Sequence, residues 1–284
     1  MNLTSVNFHI IRACDAACVF CFGTFRDVRG RLPTADAERV VEALHRRGAQ
    51  KINFAGGEPT LHPDLGRLLG FARSLGMTTS IVTNGRMLGS LLDLHADALD
   101  WVGLSIDSGD ERVQAELGRG GGDHVARGIA LADRCRACGV RVKLNTVVTA
   151  QTWQEDMSDL VRVIAPERWK VFQVLRVVGE NDGDVEPLLI TREQFQAFVE
   201  RHREFVPVAE DNDAMTDSYA MIDPLGRFYG NTAGFHQVSA PILDIGVEAA
   251  LASVGFESTR LKARDGLYDW ERPSARRRLR VVRR

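Results

Sequence analysis

Short β-like runs alternate with amphipathic helical patterns from the first residues of the chain to about residue 175. Six runs have strand character: SVNFHIIR, KINFA, TTSIVT, WVGLSID, VRVKLNTVV and RWKVFQVLRV. Between them lie helical patterns such as TADAERVVEALHRRGA and HVARGIALADRCRACG. This alternation is typical of parallel strands joined by right-handed crossovers. Because six units are too few for an eight-unit barrel, we predict an α/β fold, a partial (βα)6 TIM-like barrel.

The pattern changes after residue 176. A polar connection, GENDGDVEP, leads to a helix (TREQFQAFVERHREF), a hairpin (SYAMIDPLGRFYGN) and a helix near Val247. We therefore predict a barrel core over residues 1–176 and a C-terminal extension over 177–270 that closes the substrate site. The last stretch, residues 271–284, contains ARRRLRVVRR and reads as a basic, flexible tail. The whole chain of 284 residues is close to the size limit for one hydrophobic core.

Charge and hydropathy exclude several classes of protein. The 36 Lys and Arg residues against 38 Asp and Glu residues give a net charge of −2, so no global field draws the chain to nucleic acid. No stretch approaches the roughly 18 to 20 apolar residues that a membrane span needs. The first residues lack the basic and apolar regions of a signal peptide. We expect a cytoplasmic protein with no membrane partner.

Three of the five cysteines are packed into eight residues directly after the first strand. Cys14, Cys18 and Cys21 have the spacing C-x3-C-x2-C, and Phe20 and Phe22 flank the last of them. Thiolates are soft ligands that suit an iron–sulfur cluster or zinc. Three thiolates fit a [4Fe–4S] cluster with one open iron, whereas a zinc site needs a fourth ligand, either His9 or a distant residue. The loop lies at the carboxyl end of a strand, where βα folds place their chemistry.

A second motif, AGGEP, ends the second strand about 35 residues later. Gly56 and Gly57 allow the backbone to approach a ligand closely, and Glu58 can accept a hydrogen bond from an ammonium group. The two motifs together resemble the radical S-adenosylmethionine (SAM) enzymes. In that family the cysteines hold the cluster, and a Gly-Gly-Glu-Pro segment holds the amino group of SAM.

Strand alternation provides an independent argument about the barrel interior. Alternate residues of a strand share one face, and the apolar face must cover the helices. The polar faces that remain should line the lumen: Asn7, Lys51, Asn53, Lys143, Asn145 and Lys170. Burying unpaired ammonium groups costs several kcal/mol each, and a bound polyanion would remove that cost. Arg119, in the loop GRGGG, adds a guanidinium suited to phosphate. Lysines that begin strands can instead extend to solvent, but the set favours a triphosphate-sized anion.

The resemblance then extends over nearly the whole chain, to the viperin family of radical SAM enzymes. The segments that carry it include SVNFHIIRACDAACVFCF, KINFAGGEPTL, SIVTNG, LSIDSGDE, RWKVFQVLRVVGEN, DSYAMID and ILDIGVEAA. The resemblance implies that Phe20, Phe22, Gly56, Gly57, Glu58, Thr83, Asn84 and Ser105 bind the cofactor. It also implies a nucleotide site made of Asn7, Lys51, Asn53, Arg119, Lys143, Asn145, Lys170, Asn231 and Arg264.

The resemblance implies the conversion of a nucleoside triphosphate to its 3′-deoxy-3′,4′-didehydro analogue, which terminates viral RNA synthesis. CTP is the first candidate for the substrate. A 5′-deoxyadenosyl radical removes the C4′ hydrogen, the 3′-hydroxyl leaves as water, and an electron and a proton complete the product. Tyr219, in DSY, matches the residue proposed to deliver a hydrogen atom, whereas the sequence without the resemblance favours a half-buried aromatic in a hairpin. The family also implies an electron donor such as flavodoxin or ferredoxin, and the iron–sulfur assembly machinery.

Three departures from the family pattern qualify these expectations. The N-terminal amphipathic membrane helix is absent. Trp270 matches an earlier tryptophan of the family and not the C-terminal one that engages iron–sulfur assembly, which leaves the maturation partner open. Asn231 stands where the animal enzyme has a cysteine near the base, and an amide is compatible with CTP, UTP or GTP. Cys135 and Cys138 form a further C-x2-C, which we interpret as ordinary helix residues.

Two other functions compete with this reading. A peptide-modifying radical SAM maturase would need an auxiliary cysteine-rich domain, and no cysteine follows Cys138. A non-catalytic binding module that uses a zinc or iron–sulfur loop would cleave no SAM.

Overall fold

One ten-stranded sheet organises the computed structural model, which describes residues 3–270. The strands occur in the order β10-β9-β8-β1-β2-β3-β4-β5-β6-β7. They are β1 (Ser5–His9), β2 (Lys51–Ala55), β3 (Thr78–Thr83), β4 (Trp101–Ser105), β5 (Arg141–Val148), β6 (Arg168–Gln173), β7 (Val208–Glu210), β8 (Met221–Ile222), β9 (Arg227–Gly230) and β10 (Gln237–Pro241). Strands β1 to β7 run parallel, β8 is parallel to β1, and β9 and β10 continue antiparallel.

Helices connect the parallel strands and close the chain. They are α1 (Thr34–Arg46), α2 (Leu65–Ser74), α3 (Leu88–His95), α4 (Glu111–Glu116), α5 (His124–Ala137), α6 (Ser158–Ile164), α7 (Arg192–Arg201), α8 (Asn212–Met215), α9 (Ile242–Ile245), α10 (Val247–Ala252) and α11 (Ser258–Ala263). Single 3₁₀ turns occupy Pro59–Leu61, Ala96–Ala98, Glu186–Leu188 and Arg203–Phe205. Within residues 3–270, none of these helices combines the length and the apolar character needed to cross a bilayer.

The hydrophobic core lies between the helices and one face of the sheet. On α1 the buried residues are Ala37, Val40, Val41 and Leu44, which recur at helical spacing on one face. Ile52 and Phe54 of β2 point into the same core and are fully buried. The alternate residues of β2 point to the opposite face of the sheet. The helices therefore use the apolar face of each strand and leave the polar face to an internal cavity.

The predicted fold class is confirmed. All six predicted strands are present in the expected order; β2 and β3 match the sequence runs KINFA and TTSIVT, and the other four strands are shorter than their runs. Gly48, Gly76 and Gly139 follow α1, α2 and α5 with positive φ, as expected of helix stops. The polar connection, the hairpin and the helix at Val247 are also present.

Some local expectations were wrong or incomplete. Threonine is a common N-cap residue, which would predict that Thr34 precedes α1, but it is the first residue of that helix. Pro33 precedes it, and the Thr34 hydroxyl donates to Asp64 Oδ2 at 2.6 Å. The helices α3 and α4 and the strands β7 and β10 were not expected, because each is short and lacks a clear apolar period. The residues after 176 add β7 to one sheet edge and β8 to β10 to the other. The predicted tail, residues 271–284, lies outside the described residues.

Candidate active site

The thiol loop that follows β1 is held by the AGGEP segment that ends β2. The backbone N–H of Gly57 donates to Ile11 O at 2.7 Å, and that of Glu58 donates to Ala13 O at 2.8 Å. A Cβ on Gly57 would lie 2.2 Å from Arg12 O, so a side chain would push the two segments apart. These glycines were expected to leave room for a ligand. In the fold they also leave room for the backbone that leads into Cys14, which lies directly against them.

A third glycine performs the same task on the other side of the loop. Gly118, which follows α4, has φ +81°, and a Cβ there would lie 2.1 Å from Ala17 O. The N–H of Ala17 donates to Gly118 O at 3.0 Å, and that of Val19 donates to Leu117 O at 3.2 Å. Three glycines on two separate connections thus let the backbone grip the thiol loop at close range.

The three thiols are free and lie around one end of the internal cavity. Cys14 and Cys21 line the cavity, whereas the Cys18 Sγ lies behind them, 3.9 Å from Gly118 O. Burial and the neighbouring Cys18 raise the pKa of Cys21 to about 12, so metal binding must displace its proton. Three thiols on one cradled loop are a donor set that fits an iron–sulfur cluster.

His9, the proposed fourth ligand of a zinc site, is held among aromatic rings. Its ring centroid lies 5.2 Å from that of Phe25 and 5.6 Å from that of Tyr229. Burial lowers the pKa of His9 to about 4, so the ring is neutral. It belongs to an aromatic cluster beside the cavity.

Glu58 connects the thiol loop to the end of β3. Its Oε1 accepts from Thr83 Oγ1 at 2.6 Å, and its Oε2 accepts from the backbone N–H of Asn84 at 2.8 Å. Burial raises the pKa of this carboxyl group, which opens toward the cavity. The Asn84 side chain also donates to Asp15 Oδ1 of the loop at 2.6 Å. Thr83 and Asn84 therefore orient Glu58 and anchor the loop.

The cavity has a volume of about 310 Å³, which is within the range of small-ligand pockets. All residues that the sequence analysis assigned to the site line it, except Cys18. They are Asn7, Cys14, Phe20, Cys21, Phe22, Lys51, Asn53, Gly56, Gly57, Glu58, Thr83, Asn84, Ser105, Arg119, Lys143, Asn145, Lys170, Tyr219, Asn231 and Arg264.

Sheet register brings the polar strand residues together. Asn7 pairs with Asn53 across β1 and β2, and Asn145 pairs with Lys170 across β5 and β6. The buried Oδ1 of Asn145 has no hydrogen-bond partner among the described residues. The polar face predicted from strand alternation thus lines the cavity with amides and ammonium groups from β1, β2, β5 and β6.

Three of the four lysines of the chain line this cavity. Lys51 is 5% exposed and Lys143 is 7% exposed, so neither reaches solvent in the way the alternative reading supposed. Burial, followed by the charges of neighbouring Lys170 and Arg168, lowers the pKa of Lys51 to about 7. Burial and Lys51 lower the pKa of Lys143 well below its ordinary value. In the part of the chain that the structure describes, neither lysine forms an ion pair with a carboxylate.

The third lysine has a partner that the sequence analysis missed. Lys170 Nζ lies 2.6 Å from Glu210 Oε1, and Arg264 Nη1 lies 3.2 Å from the same oxygen. Burial alone would raise the pKa of Glu210, but the two cations outweigh it and hold the pKa below its usual range. Tyr219 donates to Glu210 Oε2 and accepts from Lys170 Nζ at 2.6 Å. Tyr219 is therefore part of a buried ionic network.

Arg119 also has a carboxylate partner. Its Nε donates to the buried Asp107, and its Cζ lies 5.2 Å from the Phe20 ring centroid. The guanidinium lies near Cys18, whose charge Arg119 would stabilise. The residue expected to bind phosphate is thus held beside the thiol loop, at the cluster end of the cavity.

Tyr268 and Arg168 are two further cavity residues that were not expected from the sequence. The hydroxyl of Tyr268 accepts hydrogen bonds from both Lys51 Nζ and Lys143 Nζ. Arg168 lies opposite Lys143 in the sheet register, and its Cζ lies 4.2 Å from the Tyr268 ring centroid. Strand alternation would have placed Arg168 with Lys170 on β6, whereas no local signal marks Tyr268.

Cys135 and Cys138 lie at the end of α5, away from the cavity. Cys135 is buried in the hydrophobic core, and Cys138 is exposed. This agrees with their interpretation as ordinary helix residues.

Comparisons with known structures support the fold. Streptococcus suis SuiB bound to S-adenosylmethionine aligns with a TM-score of 0.64 and 21% identity, over 80% of this chain and 60% of that one. The anSMEcpe protein with bound AdoMet and a peptide aligns with a TM-score of 0.62 and 17% identity, over 80% of this chain and 74% of that one. At these identities the likeness concerns the fold alone.

Sequence comparisons identify closer relatives. A protein of Flammeovirga pacifica named S-adenosylmethionine-dependent nucleotide dehydratase is 41% identical over 281 residues, 95% of this chain and 97% of that protein. A protein of the same name from Lacinutrix mariniflava is 38% identical, and the chain spans 59% of its length. The Oncorhynchus mykiss protein named S-adenosylmethionine-dependent nucleotide dehydratase RSAD2 is 37% identical over 96% of this chain and 82% of its own length.

The match to the Radical SAM superfamily covers residues 8–164, from β1 to the end of α6. The resemblance to the viperin family is thereby confirmed. The chain belongs to the radical SAM superfamily, whose members use a [4Fe–4S] cluster and SAM, and within it to the family of the S-adenosylmethionine-dependent nucleotide dehydratases.

Proposed function

We propose that this chain dehydrates a nucleoside triphosphate to its 3′-deoxy-3′,4′-didehydro analogue, a chain terminator for viral RNA synthesis. The relatives at 36–41% identity support nucleotide dehydration as the reaction class. The observation that carries the choice of substrate is the buried pair Lys51 and Lys143, which faces the cavity with no carboxylate partner among residues 3–270. A polyphosphate would supply the missing negative charge.

The two ends of the cavity support separate roles. At one end Cys14, Cys18 and Cys21 would hold the cluster, and Glu58 would accept from the amino group of SAM. Bound there, the cluster and SAM supply a 5′-deoxyadenosyl radical that takes a hydrogen atom from carbon. At the other end Lys51, Lys143 and Lys170 would hold the triphosphate. The protein's contribution is to fix the ribose between these ends and to exclude water.

Tyr219 would complete the reaction at the sugar. Burial raises its pKa well above the ordinary value, so the phenol keeps its proton at neutral pH. Its hydrogen bond to Glu210 gives that proton an acceptor when the phenol supplies an electron. The departing 3′-hydroxide would take up that proton from Glu210 and leave as water, so the phenol supplies both the electron and the proton. An external one-electron donor of the flavodoxin or ferredoxin class would restore the tyrosine.

The base contact is the least constrained part of the proposal. Asn231 follows β9 on the cavity wall, and its amide can both donate and accept hydrogen bonds. We take CTP as the first candidate, with UTP and GTP as alternatives. We also propose that the protein acts in the cytoplasm and depends on an iron–sulfur assembly machinery.

The test is SAM cleavage by the anaerobically reconstituted protein. SAM, dithionite and CTP, UTP or GTP are combined separately, and the release of 5′-deoxyadenosine is measured. We expect one nucleotide to stimulate release about tenfold or more and to lose the mass of one water molecule. Cys18→Ala should abolish the visible absorbance of the cluster and the release, whereas Cys138→Ala, in an exposed residue outside the site, should change neither. Release that no nucleotide stimulates would contradict the proposal.

A further inference from the structure

Tyr268 contacts Lys51 and Lys143 in the cavity and lies on the segment that follows α11. Its ring contacts Trp101 edge to face, with centroids 5.7 Å apart, and Trp270 in the same way at 5.3 Å. The segment is fixed at both ends. Trp101 Nε1 donates to Trp270 O at 3.2 Å, and Arg168 Nη1 donates to Asp265 Oδ2 at 2.9 Å. The phenol is therefore rigidly positioned.

The hydroxyl of Tyr268 has one proton to donate and two lone pairs to accept with. Lys51 and Lys143 each donate to it, which uses both lone pairs. Among the described residues no acceptor receives the phenolic proton. Because Tyr268 lines the cavity, this proton is available to a ligand that presents an acceptor oxygen there.

The surroundings identify what kind of acceptor would fit. Lys51 Nζ and Lys143 Nζ lie 4.7 and 4.8 Å from the Tyr268 ring centroid, and Arg168 Cζ lies 4.2 Å from it. The buried Nε of Arg168 is a second donor with no partner among the described residues. The Tyr268 hydroxyl, the two Nζ atoms and Arg168 Nε are thus four donors in one positively charged part of the cavity. An anion with several oxygen atoms matches them, whereas one neutral water could accept from only two.

We propose that Tyr268 is a substrate-binding residue whose phenolic hydroxyl donates a hydrogen bond to a phosphate oxygen of the nucleotide. The same hydroxyl oxygen accepts from Lys51 and Lys143 and so positions both ammonium groups to contact neighbouring phosphate oxygens. This inference rests on the proposed nucleoside triphosphate substrate. A third ammonium group at this position would repel the other two. A neutral phenol avoids that repulsion, accepts from both lysines and still offers a donor. Burial raises the pKa of Tyr268, which keeps the donor proton in place.

The test compares two variants that each remove one phenolic hydroxyl. Tyr268→Phe keeps the contacts with Trp101 and Trp270. Tyr229→Phe is the matched control, because Tyr229 is buried on β9, its hydroxyl has no partner in the described part of the chain, and it does not line the cavity. Binding of CTP, UTP, GTP and inorganic tripolyphosphate to the reconstituted protein with SAM and without reductant is measured by calorimetry.

We expect Tyr268→Phe to raise the Kd of the bound nucleotide and of tripolyphosphate about 10- to 100-fold, because a hydrogen bond to a charged group is lost. Tyr229→Phe should leave both values within about twofold. Equal affinity of Tyr268→Phe and the wild type would overturn the inference while leaving the proposed function intact. If the wild type binds none of the four ligands, the proposed function fails instead. Weakened SAM binding in Tyr268→Phe to the same degree would show a structural role.

A measurement on the unmodified fold covers the case in which Tyr268→Phe does not fold. The wild type is labelled with 3-fluorotyrosine, and its three fluorine resonances are assigned from the single variants. Tripolyphosphate should shift the Tyr268 resonance and leave that of Tyr229 unchanged. An unmoved Tyr268 resonance under saturating tripolyphosphate would overturn the inference.

Discussion

The pKa values of the cavity lysines predict that nucleotide binding takes up protons and weakens as the pH rises. In the free protein, burial lowers the pKa of Lys51 to about 7 and that of Lys170 to about 8. A bound triphosphate favours the charged forms, which moves both pKa values back up. The sign follows: the affinity that the lysines supply is fully present below the free-protein pKa and declines as the pH rises toward the bound-state pKa.

The magnitude can be worked out for Lys51 alone. With a free pKa of about 7 and a bound pKa near the ordinary value of about 10.4, the side chain takes up about 0.9 proton at about pH 8. The affinity it contributes then falls roughly 50-fold between about pH 7 and about pH 9. Lys170 adds about half a proton at about pH 8. The terminal phosphate itself ionises near pH 6, below this range.

Calorimetry in buffers of different ionisation enthalpy measures the proton uptake directly. Tripolyphosphate is the ligand of choice, because it removes the base from the comparison. Lys51→Met should reduce the uptake by nearly one proton and flatten the pH dependence, whereas Lys262→Met, in an exposed lysine of α11, should change neither. Binding without proton uptake, and with one affinity across this pH range, would refute the reasoning.

Two further predictions concern stability and the thiol loop. Folding lowers the pKa of Lys51, so at any pH below the ordinary lysine pKa this side chain reduces the free energy of unfolding. Lys51→Met should therefore stabilise the nucleotide-free protein at about pH 7 by about 1–3 kcal/mol, measured by urea unfolding. A lower free energy of unfolding for Lys51→Met would contradict this. Gly57→Ala should destabilise the protein by about 1–3 kcal/mol and lower its iron content after reconstitution, because the added Cβ meets a backbone oxygen at 2.2 Å. Gly70→Ala, where nothing lies within 4 Å, is the control and should lose neither stability nor iron.

Much of the site could be predicted because its signals are local. The thiols lie within eight residues, and the AGGEP segment directly follows a strand. Strand alternation has a period of two residues, so the positions of Lys51, Asn53, Lys143 and Asn145 relative to the apolar face follow from the residues beside them. The family resemblance added Tyr219 and Arg264, which periodicity alone would not have singled out.

The local signals did not show which partners these residues have in the fold. Arg119 reads as a phosphate ligand in a glycine-rich loop, yet the fold pairs it with Asp107 beside the thiols. Lys170 reads as the equivalent of Lys51, yet Glu210 from β7 neutralises it. Gly57 lines the cavity, as expected, and the fold also places it against the backbone of the loop after β1. In each case the sequence spacing does not reveal the tertiary neighbour.

The amino-acid sequence by itself determined the βα alternation, the thiol cradle's components and the polar faces of the strands, because each depends on residues a few positions apart. Only the tertiary structure decided which cavity cations have a carboxylate partner. Arg119 and Lys170 have one, whereas Lys51 and Lys143 have none among residues 3–270. Tyr268 lies 217 residues from Lys51 and 125 residues from Lys143 along the chain. Glu210 lies on β7, an edge strand that follows the six core strands in the sequence. Such contacts depend on the curvature of the sheet and the path of the returning chain, which no local pattern of residues encodes.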